Sequence, residues 1–219
     1  MSKHLERDLA NLKKDLLGLG TLVEESINMA MNALLRRDET LVREVMDHEY
    51  LVDEREVQIE EECLKLLALH QPVAGDLRFI VAVLKVNSDL ERMGDLAFNI
   101  AKRAKYLCHS EPLSAEINFE EMVSKVRAMV RLSLDALVNQ DVALAKEVCS
   151  RDDEVDRINK QMYNDLKQLM RDDPNNVERA VDMLSASRHL ERIGDLATNI
   201  AEDIIFMVEG EVIRHGAWL

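Results

Sequence analysis

Turn-forming and aromatic residues are scarce in this chain of 219 residues, which has 7 glycines, 3 prolines and 4% aromatics. That shortage fits long helices packed side by side and fits a sheet poorly. Cysteine is nearly absent too. Cys63, Cys108 and Cys149 form no CxxC pair, and each lies among apolar residues in a helical pattern. They read as small buried hydrophobes. The chain lacks GxGxxG, P-loop, GxSxG and HExxH motifs, and with them the common dinucleotide, nucleotide, hydrolase and metalloprotease signatures. It also lacks the ExxH pair of di-iron bundles. No apolar run approaches the ~20 residues that a membrane-spanning helix needs, and the charged stretch Met1–Ala10 has no apolar core of a secretion signal. The expectation is a cytoplasmic protein in a reducing compartment.

Basic residues are in deficit, 28 against 42 acids, for a formal charge of −14. Such a surface repels nucleic acid, free phosphate and anionic membranes unless a cation or a basic partner intervenes.

What the chain does have is a duplication. Leu90–Ala101 (LERMGDLAFNIA) and Leu190–Ala201 (LERIGDLATNIA) are identical at ten of twelve positions, at an offset of 100. Upstream the halves align at an offset of 103: Asp38 with Asp141, Leu41 with Leu144, Val45 with Val148, Val52-Asp53 with Val155-Asp156. One connection is therefore three residues shorter in the second copy, and it falls at 70–76 in the first half and 171–176 in the second. Apolar residues keep helical spacing throughout. One seam is Val45, Val52, Ile59 and Leu66; another is Ile80, Val83, Leu90, Met93, Ala97, Ile100 and Ala104. Short connections between such stripes predict antiparallel neighbours.

The spacing predicts six helices. The first runs from about Leu5 to Arg37. The second is capped by Asp38 and ends near Leu69, where His70-Gln71-Pro72 and Gly75 interrupt. The third is capped by Asp76 and runs to about Cys108. Ser110–Ser114, with Pro112, links the halves. Asn118 and Glu121 resemble a capping box for the fourth. Asp141 caps the fifth, and the sixth follows Asp173-Pro174-Asn175 and runs to about Gly210. The fold class is all-α: two tandem three-helix bundles, residues 1–110 and 111–219.

The repeated segments carry acids on one face. Glu91, Asp95 and Asn99 are spaced i, i+4, i+8, as are Glu191, Asp195 and Asn199; Glu49-Asp53 and Asp152-Asp156 add an i, i+4 pair on another helix of each half. Like charges at that spacing destabilise a helix by a few tenths of a kcal/mol. With Leu90 as the centre of the core seam, Glu91, Asp95 and Asn99 fall about 100°, 140° and 180° away, at the solvent edge. Two readings stay open. Either Arg92 and Arg192 neutralise the acids in exposed ion pairs, or carboxylates of two adjacent helices converge on metal ions. All-oxygen donors with an amide suit iron, manganese, magnesium or calcium, with zinc also admissible. Recurrence of the pattern in both halves, with Asn99 and Asn199 that apolar spacing does not require, brings the second level with the first. Glu60-Glu61-Glu62 reads as a solvated face, and Met29, Met31, Met122 and Met129 as core filler. His189, where the first half has Asp89, reads as a local substitution.

Gln71-Pro72-Val73-Ala74-Gly75-Asp76-Leu77-Arg78, followed by Leu90-Glu91-Arg92-Met93-Gly94-Asp95 and its second copy at Leu190–Asn199, resembles the PhoU family over essentially the whole chain. The resemblance implies two three-helix bundles, assembly as a homodimer, and multinuclear metal clusters bound by the (E/D)xxxD motifs. The implied ligands here are Glu49, Asp53, Glu91, Asp95 and Asn99, and in the second half Asp152, Asp156, Glu191, Asp195 and Asn199. It also implies a negative regulator of the phosphate regulon and of phosphate uptake, connecting a phosphate ABC transporter with a sensor histidine kinase. Through those partners it would reach the inner face of the membrane. Two departures stand out. Members often carry His directly after the Asp of the second motif, where this chain has Leu96 and Leu196, and the first pair of the second half opens with Asp152 in place of Glu. The expected role is a metal-binding adaptor and not an enzyme, since no nucleophile or base accompanies the acidic rows. The alternatives are a metal-dependent phosphohydrolase or redox enzyme on a helical bundle, and a purely structural helical scaffold.

Overall fold

Asp38 and Asp141, equivalent in the two copies, each stop one helix and start the next. The Asp38 carboxylate accepts from Thr40 N at 2.9 Å, and that of Asp141 from Ala143 N at 2.8 Å and Leu144 N at 3.1 Å. Each satisfies amides that a helix start leaves open. The residue before each cap, Arg37 (φ 56°) and Gln140 (φ 53°), turns through the left-handed region, so both copies reverse by the same turn. A computed structural model describes residues 3–113 and 117–210; Ser114 of the expected linker lies outside them.

The helices are α1 (Lys3–Arg36), α2 (Glu39–His70), α3 (Ala74–Cys108), α4 (Glu120–Asn139), α5 (Val142–Asp172) and α6 (Val177–Glu209), with a 3-10 turn at Pro174–Asn176 before α6. Among the described residues there is no strand, and no helix is long and apolar enough to cross a membrane. The expected all-α architecture of two three-helix bundles is present: α1, α2 and α3 pack on one another, as do α4, α5 and α6. The three residues missing from the second copy are the counterpart of Gln71–Val73. Those residues join α2 to α3, whereas α5 runs through Asp173 straight into the 3-10 turn.

Two starts differ from expectation. Asp76 does not cap α3: the helix already begins at Ala74, behind Val73 in extended conformation, and Asp76 lies in the first turn. There it still complements the positive helix end. Asn118 and Glu121 do not form a reciprocal box. The Asn118 side chain accepts from Glu120 N at 3.1 Å, but Phe119 is the cap residue and makes no side-chain cap bond.

The halves are not independent beads. α3 and α6 form the most extensive helix pair of the molecule, and α1 also packs on α4. α3 and α6 run antiparallel about an internal two-fold: Lys85 pairs with Asp203 at 2.5 Å, and Arg103 with Asp182 at 3.2 Å. Gly20 lets α1 approach α4, because a Cβ there would lie 2.6 Å from Leu134 Cδ2. The core seams named above are buried, from Val45 to Leu66 on α2 and from Ile80 to Ala104 on α3. Met31, Met122 and Met129 are core and Met29 packs against it. The three cysteines are free, and burial pushes Cys63 and Cys149 up to about 12, so neither is a reactive thiolate.

The glycine inside each repeated motif sets how closely its helix meets the neighbour. A Cβ on Gly94 would come within 3.0 Å of Val52 Cγ1, whereas on Gly194 the nearest atom, Val155 Cγ1, is 3.7 Å away. A mid-helix Gly costs about 1 kcal/mol relative to Ala. Gly194→Ala is therefore expected to stabilise by about 0.5–1 kcal/mol. Gly94→Ala is expected to lose that gain to the clash with buried Val52 and to be net destabilising. Denaturant midpoints of the two variants check this; equal stabilisation by both would show that α2 and α3 are not in close approach at Gly94.

Candidate functional site

The acidic rows lie where two helices of one bundle run side by side. In the first half α2 supplies Glu49 and Asp53 and α3 supplies Glu91, Asp95 and Asn99. In the second, α5 supplies Asp152 and Asp156 and α6 supplies Glu191, Asp195 and Asn199. Val52 and Val155, between the acids of α2 and α5, are buried, as are Met93, Gly94, Ile193 and Gly194 on the facing helices. These contacts hold the backbones together and leave the acids at the rim of the seam. Glu49, Glu91, Asn99, Asp152 and Glu191 are half-buried there, and Asp53, Asp95, Asp156, Asp195 and Asn199 are exposed.

The carboxylates act on one another across the seam. Burial, then the Asp53 and Asp95 carboxylates, raise Glu49. Burial, then Asp95, Asp53 and Glu56, raise Glu91. In the second half burial and Asp156 raise Asp152, against a hydrogen bond donated by Thr198 Oγ1 at 3.4 Å. Burial, then Glu191, Asp152 and Asp156, push Asp195 up to about 6. Each row thus couples acids of both helices.

Guanidinium pairing does not neutralise them. Arg92 turns to Asp89, at 3.6 Å, and among the described residues none of the eight row carboxylates forms an ion pair. The donor set is oxygen only, with Asn99 and Asn199 one turn further along, which suits hard cations. As they are placed, no three His, Cys, Asp or Glu side chains among the described residues stand close enough together to hold a metal ion.

Other features were not singled out from the sequence. Glu56 extends the first row and is held by Asn87, whose Nδ2 donates to its backbone oxygen at 2.9 Å. Its position one turn past Asp53 was a readable signal. Position 89 and its counterpart 189 both lie beside the other half's helix. Asp89 is buried at the α3/α6 contact, and burial, then Asp203, push it up to about 6. His189 sits at the symmetry-related place, facing Arg103, and burial and that arginine lower its pKa. Glu60 and Glu61 are exposed, and half-buried Glu62 pairs with Lys65 at 2.9 Å, as a solvated face should.

A raised acid favours the protonated folded state. Asp195, up at about 6, therefore holds its proton more tightly in the folded chain than in the unfolded one, and its contribution to stability without metal falls as pH rises from about 4 to 6. Asp195→Asn removes one such contribution. At this open edge solvent screening limits the effect to about 1 kcal/mol. The metal-free variant is expected to be more stable than wild type at pH 7.5 and equal near pH 4, read from urea midpoints at both values; a variant less stable at pH 7.5 would contradict it.

A family model described as "PhoU domain" matches residues 16–104 and again 119–204. The "phosphate-specific transport system accessory protein PhoU homolog" of Aquifex aeolicus is 40% identical over 211 residues, 96% of each chain. The homolog of Pseudomonas aeruginosa is 38% identical, over 98% of this chain and 89% of that protein. The crystal structure of PhoU from Pseudomonas aeruginosa superposes with a TM-score of 0.92 at 38% identity, covering 94% of this chain and 99% of that one. That of the phosphate transport system regulatory protein PhoU from Streptococcus pneumoniae gives 0.89 at 29% identity, covering 96% and 100%. With both halves matched by the same domain and relatives similar from end to end, the chain belongs to the PhoU family.

Proposed function

We propose that this chain is an accessory regulator of a phosphate transport system that acts by binding, and that the two carboxylate rows are its metal sites. The first part is supported by full-length similarity to proteins named as such accessories. The second is carried by one observation: eight carboxylates lie on two helix seams, act on one another, and among the described residues form no ion pair.

Glu49, Asp53, Glu91 and Asp95 would hold cations in the first half, and Asp152, Asp156, Glu191 and Asp195 in the second, with Asn99 and Asn199 as amide donors. A bound divalent ion supplies positive charge that offsets the repulsion within each row. The chain's own part is to hold the carboxylates on rigid helices, closely spaced through Val52–Gly94 and Val155–Gly194. With its rows neutralised, the strongly acidic face becomes able to dock on a partner. In this reading the partners are the phosphate ABC transporter and a sensor histidine kinase, the output is negative regulation of phosphate uptake, and the working form is a cytoplasmic homodimer.

Affinity capture from cells in high phosphate tests this, comparing wild type with a chain whose two rows are neutralised (Asp53, Asp95, Asp156 and Asp195 to Asn). Capture of transporter components by wild type alone, with metal retained by wild type alone, is expected. Equal capture by both would separate docking from the rows. Phosphoester hydrolysis that depends on Glu91 would instead favour an enzyme.

A further inference from the structure

Beyond its carboxylate row, the α5/α6 seam changes sign. It opens into a groove of about 690 Å³ lined by Asp156, Arg157, Lys160, Tyr163, Arg188 and Glu191. Three bases thus face two acids in a chain whose overall charge is −14. None of the three bases forms an ion pair among the described residues, although Asp156 and Glu191 line the same groove. Tyr163 is 46% exposed, and Lys167 Nζ sits 5.7 Å from its ring centre, which brings a fourth cation to the far end.

The first half has no such groove chemistry. At the offsets of the duplication, Arg157 corresponds to Glu54, Lys160 to Val57, Tyr163 to Glu60 and Arg188 to Ser88. The backbone frame is the same in both: Asn87 Nδ2 bonds the Glu56 oxygens in the first seam, and Ser187 Oγ donates to Asn159 Oδ1 at 3.0 Å at the equivalent place in the second. Two seams of one architecture therefore differ in the charge beside their acidic row. A cation flanked by three free basic side chains is the arrangement that holds a multiply charged oxyanion.

We propose that the α5/α6 groove binds a phosphate-type oxyanion, with Arg157, Lys160 and Arg188 on its oxygens and the Asp156–Glu191 side presenting the row's cation. This deepens the proposed function and rests on it for that cation. Free phosphate and a lipid phosphate share this chemistry.

Equilibrium dialysis of the full chain against labelled inorganic phosphate, with and without Mn²⁺, tests it, together with metal analysis of the same samples. Wild type loaded with Mn²⁺ is expected to bind phosphate at one site per chain. Lys160→Glu with Arg188→Glu should weaken this at least tenfold while Mn²⁺ stays bound, and Ser88→Glu in the first half should leave it unchanged. Sedimentation with phosphatidic acid vesicles, competed by inorganic phosphate, would place the oxyanion on a lipid; dialysis binding without sedimentation places it in solution. No phosphate bound to either form, or equal binding by wild type and the double variant, overturns the proposal. If wild type retains no Mn²⁺ yet binds phosphate through Lys160 and Arg188, the metal-row reading fails and the groove stands.

Discussion

Replacing Asp156 and Asp195 together by Asn is expected to abolish tight divalent-cation retention in the second half and leave the first intact; Asp53→Asn with Asp95→Asn should do the reverse. Loss of a single outer partner of a metal ligand costs about 10–100-fold in affinity, so removing two charged ligands should cost at least about 100-fold. Stability should move the other way. Without metal, each pair of substitutions relieves repulsion that burial and neighbouring acids impose on Glu49, Glu91, Asp152 and Asp195, and so raises the melting temperature. With metal, wild type should gain through mass action and the variants should gain only from the half they retain. Elemental analysis after dialysis, with melting curves in Mn²⁺ and in chelator, reads both. Variants destabilised in chelator would mean that the carboxylates are held by favourable contacts and not by cations.

Leu90→Ala and Leu190→Ala should each destabilise the fold by about 3 kcal/mol. Each leucine is 0% exposed and directly precedes the Glu of its row, so it anchors the helix face that presents the acids. For a chain of this size that loss lowers the melting temperature by about 6–12 °C. Glu91→Gln and Glu191→Gln, one residue on, should not destabilise the metal-free chain. The contrast separates the core seam from the rim. A cost below about 1 kcal/mol for either Leu→Ala would show that these seams do not carry the packing.

Much of this was readable before any coordinates. Helical periodicity placed Val45, Val52 and Ile59 in the core and the acids beside it, because one buried face per helix fixes the orientation of the rest. Asp38 and Asp141 were legible as caps because capping is a local interaction. Asp76 was not, since the chain enters α3 through extended Val73 and the helix starts two residues earlier. Arg92 illustrates the limit of wheel arguments. Its angular position put it beside the row, yet it turns to Asp89, which is buried near Asp203 where α6 packs on α3. That packing depends on which faces the two bundles leave for each other, and spacing within one helix does not encode it. The bases of the α5/α6 groove were hidden for the same reason: Arg157, Lys160 and Arg188 come from two helices and share no motif.

An anomalous difference map from crystals grown with Mn²⁺ addresses the central claim most directly. Peaks between α2 and α3 beside Glu49, Asp53, Glu91 and Asp95, and between α5 and α6 beside Asp152, Asp156, Glu191 and Asp195, are predicted. Occupied Mn²⁺ sites elsewhere on the chain, with both seams bare, would contradict it.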